Sequence, residues 1–177
     1  MQEDGSIDRW SALTDAVAAM ARATSMADAV EILRTTSRSV AGADGVTIVR
    51  REGNETVYIA EDAITPHWEG KRFPINECLA GFAIQQRRPV IIPDIRIADS
   101  VPQNLYMATF IGSVAVFPVG LGEPHGAIGA YWREVRVIDD DTVALLAALA
   151  RAYGAVIETI TVLEQAESAR QRLRAVG

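Results

Sequence analysis

SVAVFPVGLGEPHGAIGAYW, residues 113–132, decides the fold. Two apolar runs flank the turn LGEPHG, a pattern that predicts a β-hairpin in which Gly122 and Gly126 supply the flexible positions. A strand at Ser113–Pro118 is thereby tied to an antiparallel neighbour. Upstream, Val46–Arg51 and Thr56–Ala60 flank EGNE, whose Gly53 and Asn54 are turn formers, so another hairpin is expected. Strands joined mostly as hairpins favour a largely antiparallel sheet.

Helical spacing brackets these hairpins. Ile7, Trp10, Leu13, Val17 and Met20 recur at steps of three and four, one face of an amphipathic helix running to about Ala23. Ser25 followed by Asp28 resembles a capping box, and Met26, Val30 and Leu33 mark a second helix towards Val40. In the middle, NECLAGFAIQQRR predicts a short helix capped by Asn76, and PVIIPD a short buried strand. RIADSVPQNLYMATFIG has no clean period until Leu105 and is read as a long covering loop. Asp139, Asp140 and Asp141 then precede a long helix to about Arg174, where acids complement the helix dipole. Leu146, Leu149, Tyr153, Val156, Ile160 and Leu163 alternate steps of three and four, a heptad seam suited to dimerisation. At 1.5 Å per residue this helix spans roughly 54 Å, more than the body of one domain covers. The order predicts an α+β sandwich with the first two helices and the last packed on one sheet face.

Composition narrows the function. The chain has 177 residues, 49% hydrophobic and 23% charged, with net charge -6. An acidic surface argues against nucleic acid as partner, because phosphates need cations. Arg170, Arg172 and Arg174, interrupted by Gln171 and Leu173, read as a solvated helix face. No apolar run approaches the roughly 20 residues needed to cross a bilayer. The acidic start MQEDGSIDRW is unlike a signal peptide, so no membrane association and a cytoplasmic location are expected. One cysteine, Cys78, leaves no internal disulfide and no multi-cysteine metal site. His67 and His125 have no partner ligand at i+3 or i+4, and no phosphate loop or hydrolase elbow is present. No metal or cofactor is therefore expected.

Taken in order, FPINECLAGFAIQQRRPVIIPDI (residues 73–95), SVAVFPV and GAIGAYW resemble the GAF domain family over about Met26–Ile160. The run WEGKRFPINECLAG resembles in particular GAF domains attached to bacterial sensor histidine kinases. Kinase nucleotide boxes are not found after the last helix, so a kinase or other output protein would be a separate partner. The expected division is an N-terminal amphipathic helix at 1–24, a GAF domain at 25–160 and a helical extension at 161–177. The resemblance implies a ligand cavity on the sheet face opposite the helices, walled by the middle helix and roofed by the loop. Candidate ligand-binding residues for an unidentified small molecule are Trp68, Phe73, Cys78, Phe82, Asp94, Tyr106, Phe110 and Ser113. Asp94 has the alternative of an Asx-type turn after Pro93.

The leading expectation is a non-catalytic sensory module in which ligand occupancy alters a homodimer through its N- and C-terminal helices. The alternatives are a Cys78-dependent enzyme or covalent bilin protein, and a dimerisation platform without ligand. Relatives that reduce free methionine sulfoxide use several cysteines, and those that attach a bilin usually place His beside the Cys, where this chain has Leu79. His67 could in principle ligate haem. The phosphodiesterase motif Asn-Lys-Phe-Asp-Glu is not present, and KRFPINE shares only Lys71 and Phe73 with it.

Overall fold

A computed structural model describes residues 2–176, with side chains from Asp8 onward. Ile7, expected on the first helix face, lies outside the described side chains. The helices α1 (Gln2–Met20) and α2 (Met26–Ala41) lead into the hairpin β1 (Gly45–Glu52) and β2 (Glu55–Ala63). A short β3 (Arg72–Pro74), α3 (Leu79–Gln86), β4 (Val90–Ile92) and the single turn α4 (Gln103–Tyr106) follow. The hairpin β5 (Ser113–Val119) and β6 (Gly126–Trp132) then precedes α5 (Asp140–Val176).

The strands make one sheet in the order β3-β2-β1-β6-β5-β4, every neighbouring pair antiparallel. The join that makes two hairpins into one sheet is β1 with β6, from Gly45 opposite Tyr131 to Arg50 opposite Gly126. Gly126 serves this contact and not the turn: a Cβ there would stand 2.0 Å from the Val49 carbonyl oxygen. The positive φ angles fall instead on Gly120 and Gly122.

Helices α1, α2 and α5 pack on one face as expected. Val46 and Ile48 of β1, Ala115 and Phe117 of β5, and Ile128 and Ala130 of β6 meet Leu33 and Val40 of α2 and Leu145, Leu146 and Leu149 of α5. Arg9 of α1 staples this layer. Its guanidinium donates to the carbonyls of Val40 and Ala41 at the end of α2 and to Thr142 Oγ1 in the first turn of α5, at 2.8–3.0 Å. Those last-turn carbonyls of α2 lack intrahelical donors, so the cation satisfies groups that would otherwise need water. Ser25 caps α2 as read, its hydroxyl accepting from the Asp28 amide at 3.1 Å.

Two expectations about α5 are corrected. Leu146, Leu149, Tyr153 and Ile160 are buried in the chain's own core and Val156 is half-buried. Of the expected dimer seam only Leu163 is exposed, so the stripe serves intrachain packing. By length and composition α5 also contains a window apolar enough to cross a membrane, with mean hydropathy 1.6. Its apolarity has a local explanation, because the stripe from Leu145 to Ile160 faces the sheet and the other helices.

Candidate ligand site on the second sheet face

Alternation along the strands sends a second set of residues to the face away from α5. Val49, Tyr58, Val114, Val116 and Tyr131 lie there beneath α3, α4 and the loops that flank them. Four aromatic rings cluster at one end. Trp68 stacks on Tyr58 at 5.6 Å, meets Phe73 edge-on at 6.0 Å and tilts against Tyr106 at 5.3 Å. Tyr58 meets Phe73 edge-on as well, at 5.5 Å. Such offset and edge-on arrangements place ring edges against π faces, adding stabilisation beyond area burial.

Polar groups lie among the rings. Cys78, fully buried, is the residue that caps α3, a role expected of Asn76; its Sγ accepts from the Gly81 amide at 3.3 Å. The same sulfur lies 3.2 Å from Thr56 Oγ1, which donates to the Phe73 carbonyl at 3.2 Å. Gly81 permits this packing, since a Cβ there would lie 1.7 Å from the Ile75 carbonyl oxygen. Thr47 Oγ1 and the Tyr131 hydroxyl share a hydrogen bond of 2.8 Å. Burial pushes the phenols of Tyr58 and Tyr106 well above their ordinary range, and neighbouring Tyr131 and Cys78 push the same way. Burial likewise raises Tyr131, with the Thr47 hydrogen bond opposing. All three phenols are neutral near pH 7.

The roof is held by one carboxylate. Glu61, on β2 and only 6% exposed, accepts backbone N–H bonds from His67, Trp68 and Glu69 at 2.7–3.0 Å, with the His67 amide shared between both oxygens. A buried carboxylate satisfied by three amides fixes the loop that carries Trp68. Outside that loop, Lys71 Nζ lies 5.6 Å from the Trp68 ring centre and 3.1 Å from His67 Nε2. In this closed arrangement the face is filled by its own side chains: Tyr58, Trp68, Cys78, Tyr106 and Tyr131 are all buried.

Of the candidate residues, Trp68 touches both Phe73 and Tyr106, and Cys78 sits beside Phe73 through Thr56. Phe82 and Phe110 are half-buried against the same cluster. Asp94 and Ser113 do not join it. Asp94 Oδ1 accepts from the Arg96 amide at 3.0 Å, the Asx-type turn. Ser113 has the strand parity of Ala115 and Phe117, which face the helices, and its hydroxyl donates to the Glu134 carbonyl at 2.8 Å. Sequence reading missed Tyr58, Thr56, Tyr131 and Glu61. Thr56 and Tyr58 stand two apart in an apolar strand, a period that puts both on one face. Glu61, an acid immediately after an apolar run, carried no comparable signal.

The family model for the GAF domain matches residues 23–158. The chain belongs to the GAF domain family. No curated protein is significantly similar in sequence. Among solved structures, the GAF domain of a phosphoenolpyruvate-protein phosphotransferase from Coxiella burnetii superposes with a TM-score of 0.78 at 16% identity, over 90% of this chain and 98% of that one. The free methionine-R-sulfoxide reductase of Neisseria meningitidis, in complex with its substrate, gives 0.77 at 15% identity over 89% and 93%. A far-red absorbing protein in its dark state with bound biliverdin IXa gives 0.70 at 18% identity over 85% and 99%. At these identities the likeness is one of fold, shared by sensors, reductases and pigment proteins.

Proposed function

We propose that this GAF domain is a non-catalytic sensory module of cytoplasmic signal transduction, in which a small molecule binds on the second sheet face and alters a homodimer through the long helix. The observation that carries the reading is the Glu61 anchor. It makes the Trp68 loop a discrete lid, held by bonds from three amides to one side chain, over a cluster of neutral phenols, a thiol and hydroxyls suited to orienting a compact, partly apolar ligand. Entry displaces Trp68 from Tyr58 and Tyr106, and the ligand must bind the open and closed states unequally to send a signal. Strands β5 and β6 give the route. Val114, Val116 and Tyr131 face the site, while Ala115, Phe117 and Ile128 on the opposite side belong to the layer that includes Leu146 and Leu149 of α5.

The binding residues in this reading are Trp68, Phe73, Cys78, Phe82, Tyr106 and Phe110, with Tyr58 and Tyr131 added. A non-catalytic role for Cys78 is supported by its work as the α3 cap, since moving its sulfur to a substrate would give up the Gly81 bond. The output partner in this reading is a signalling kinase or another protein that takes up α5. Native mass spectrometry of the purified protein tests the proposal, followed by titration of stripped protein with the released compound under tryptophan fluorescence. A reversible, non-covalent ligand that alters the emission of the wild type and leaves Trp68→Phe unchanged is expected. Chemical turnover of that compound, or an adduct on Cys78, would overturn the reading.

A further inference from the structure

A cavity of about 640 Å³ opens on the helix side of the sheet, at the far side from the Trp68 lid. The first turns of α2 form one wall through Met26 and Val30, and Tyr153 and Ile157 of α5 form the other. The floor is built from the strand ends. Along β1 and β2 the register slips between Ile48 and Val49, so that Ile59 is an extra residue on β2. The bulge turns Ile59 as well as Ala60 towards the helices, and Ile59 lines the cavity. Across from it the floor is Gly126, which sits close against the Val49 carbonyl of β1.

The mouth differs chemically from the floor. Arg50, Arg51 and His125 line it against a single carboxylate, Glu123. That carboxylate is shared: Arg51 Nη1 binds it at 3.0 Å and Arg87 binds its other oxygen. Arg50 donates to Glu52, whose second oxygen takes Arg72 at 2.5 Å. His125 lies 3.8 Å from Glu158 on α5. Glu123 and Glu52 thus each serve two cations, and a guanidinium has five N–H donors, so Arg50 and Arg51 keep donors for a further anion. Burial raises the Tyr153 phenol to about 12, the Arg50 charge opposing, so this hydroxyl stays protonated against the apolar wall.

We propose that this cavity is a second ligand site, separate from the face beneath the Trp68 lid, and that it takes an amphipathic monocarboxylate, its apolar body between α2 and α5 and its carboxylate at Arg50. The volume falls within the range of about 300–1,000 Å³ found for small-molecule sites. A purely apolar guest leaves the guanidinium donors unused, and a cation meets Arg50 and Arg51. The occupant touches both α2 and α5, so its binding reports directly to the long helix.

Sodium octanoate and 1-octanol, added to the ¹⁵N-labelled full chain, separate the acid from its apolar body. Octanoate should shift the amides of Ala27, Val30, Gly126 and Ile157 and leave the Trp68 indole signal in place. Arg50→Gln should weaken octanoate by about tenfold or more, the scale of one lost charge-assisted hydrogen bond, with octanol changed little. Ala27→Trp, at an exposed position on the lip, should abolish both while the melting transition stays cooperative at the wild-type temperature. Equal affinity for octanoate and octanol, shifts centred on the Trp68 indole, or no shifts at millimolar octanoate would each overturn the proposal.

Discussion

Glu61 and Asp139 are two acids whose roles differ by where their hydrogen bonds lead. Glu61 accepts from three consecutive amides in a nearly dry setting. Glutamine keeps the size, but its single oxygen must then serve all three amides without a charge while its NH2 group is turned towards the His67 N–H. Glu61→Gln should therefore cost about 2 kcal/mol in urea unfolding, the scale of a charge-assisted bond left broken in a buried site. It should also raise hydrogen exchange at His67, Trp68 and Glu69 above the change seen elsewhere, and uniform exchange would refute the lid. Asp139 precedes α5 and its Oδ1 accepts from the Thr142 amide at 2.7 Å. Hydrogen bonds from Thr142 hold its carboxyl below the ordinary aspartate range. With the folded value depressed, this contribution is complete above about pH 4 and is lost as pH falls through the folded value. Asp139→Ala should cost about 1 kcal/mol at pH 7, typical of an N-cap. The deficit should shrink in guanidinium titrations below pH 4.

At the scale of elements, α5 shows what a periodic pattern does and does not encode. Its apolar stripe announces a helix with one buried face, but a period cannot say whether the covering surface belongs to the same chain or another. Here the sheet, α1 and α2 take it up to Ile160, and Leu163 beyond is 64% exposed. Leu149→Ala should accordingly cost about 3 kcal/mol by denaturant unfolding, as for a filled core position. Leu163→Ala should fall within about 0.5 kcal/mol of the wild type at protein concentrations where the chain is monomeric. Both hairpins were legible because turn residues and short apolar runs are local signals. The β1–β6 join and the three-residue β3 were not, because they rest on pairings between residues far apart in sequence. The site was half legible for the same reason. Trp68, Phe73 and Tyr106 could be picked out by residue type within an irregular segment. Excluding Ser113 needed strand parity, where one step moves a side chain to the other face.

For the whole molecule the open question is what covers the end of α5, where residues 161–176 are all exposed. That stretch projects about 24 Å at 1.5 Å per residue, and a lone helix of such length is marginal in water. Val162, Ala166, Ala169, Leu173 and Val176 fall at alternating steps of four and three, a heptad seam rotated away from the stripe that packs on the sheet. Beside it an apolar groove of about 450 Å³ runs between Met20 and Ala23 on one side and Val156, Ile160 and Leu163 on the other. Trp10 and Val17 of α1 are about 40% exposed and offer further apolar surface. In the proposed homodimer a second copy of α5 lies along the seam and α1 of each chain widens it. The two alanines make the seam thin, so association should be concentration dependent. Leu173→Glu, at a site 77% exposed, should give a folded monomer in sedimentation velocity with an unchanged melting temperature once the wild type is also diluted to monomer. Ile160→Glu cannot serve the same purpose, because Ile160 is only 4% exposed within its own chain and a charge there unfolds the domain before it separates two copies. Persistent dimers of Leu173→Glu would move the interface to α1, where Trp10→Asp should then yield the monomer.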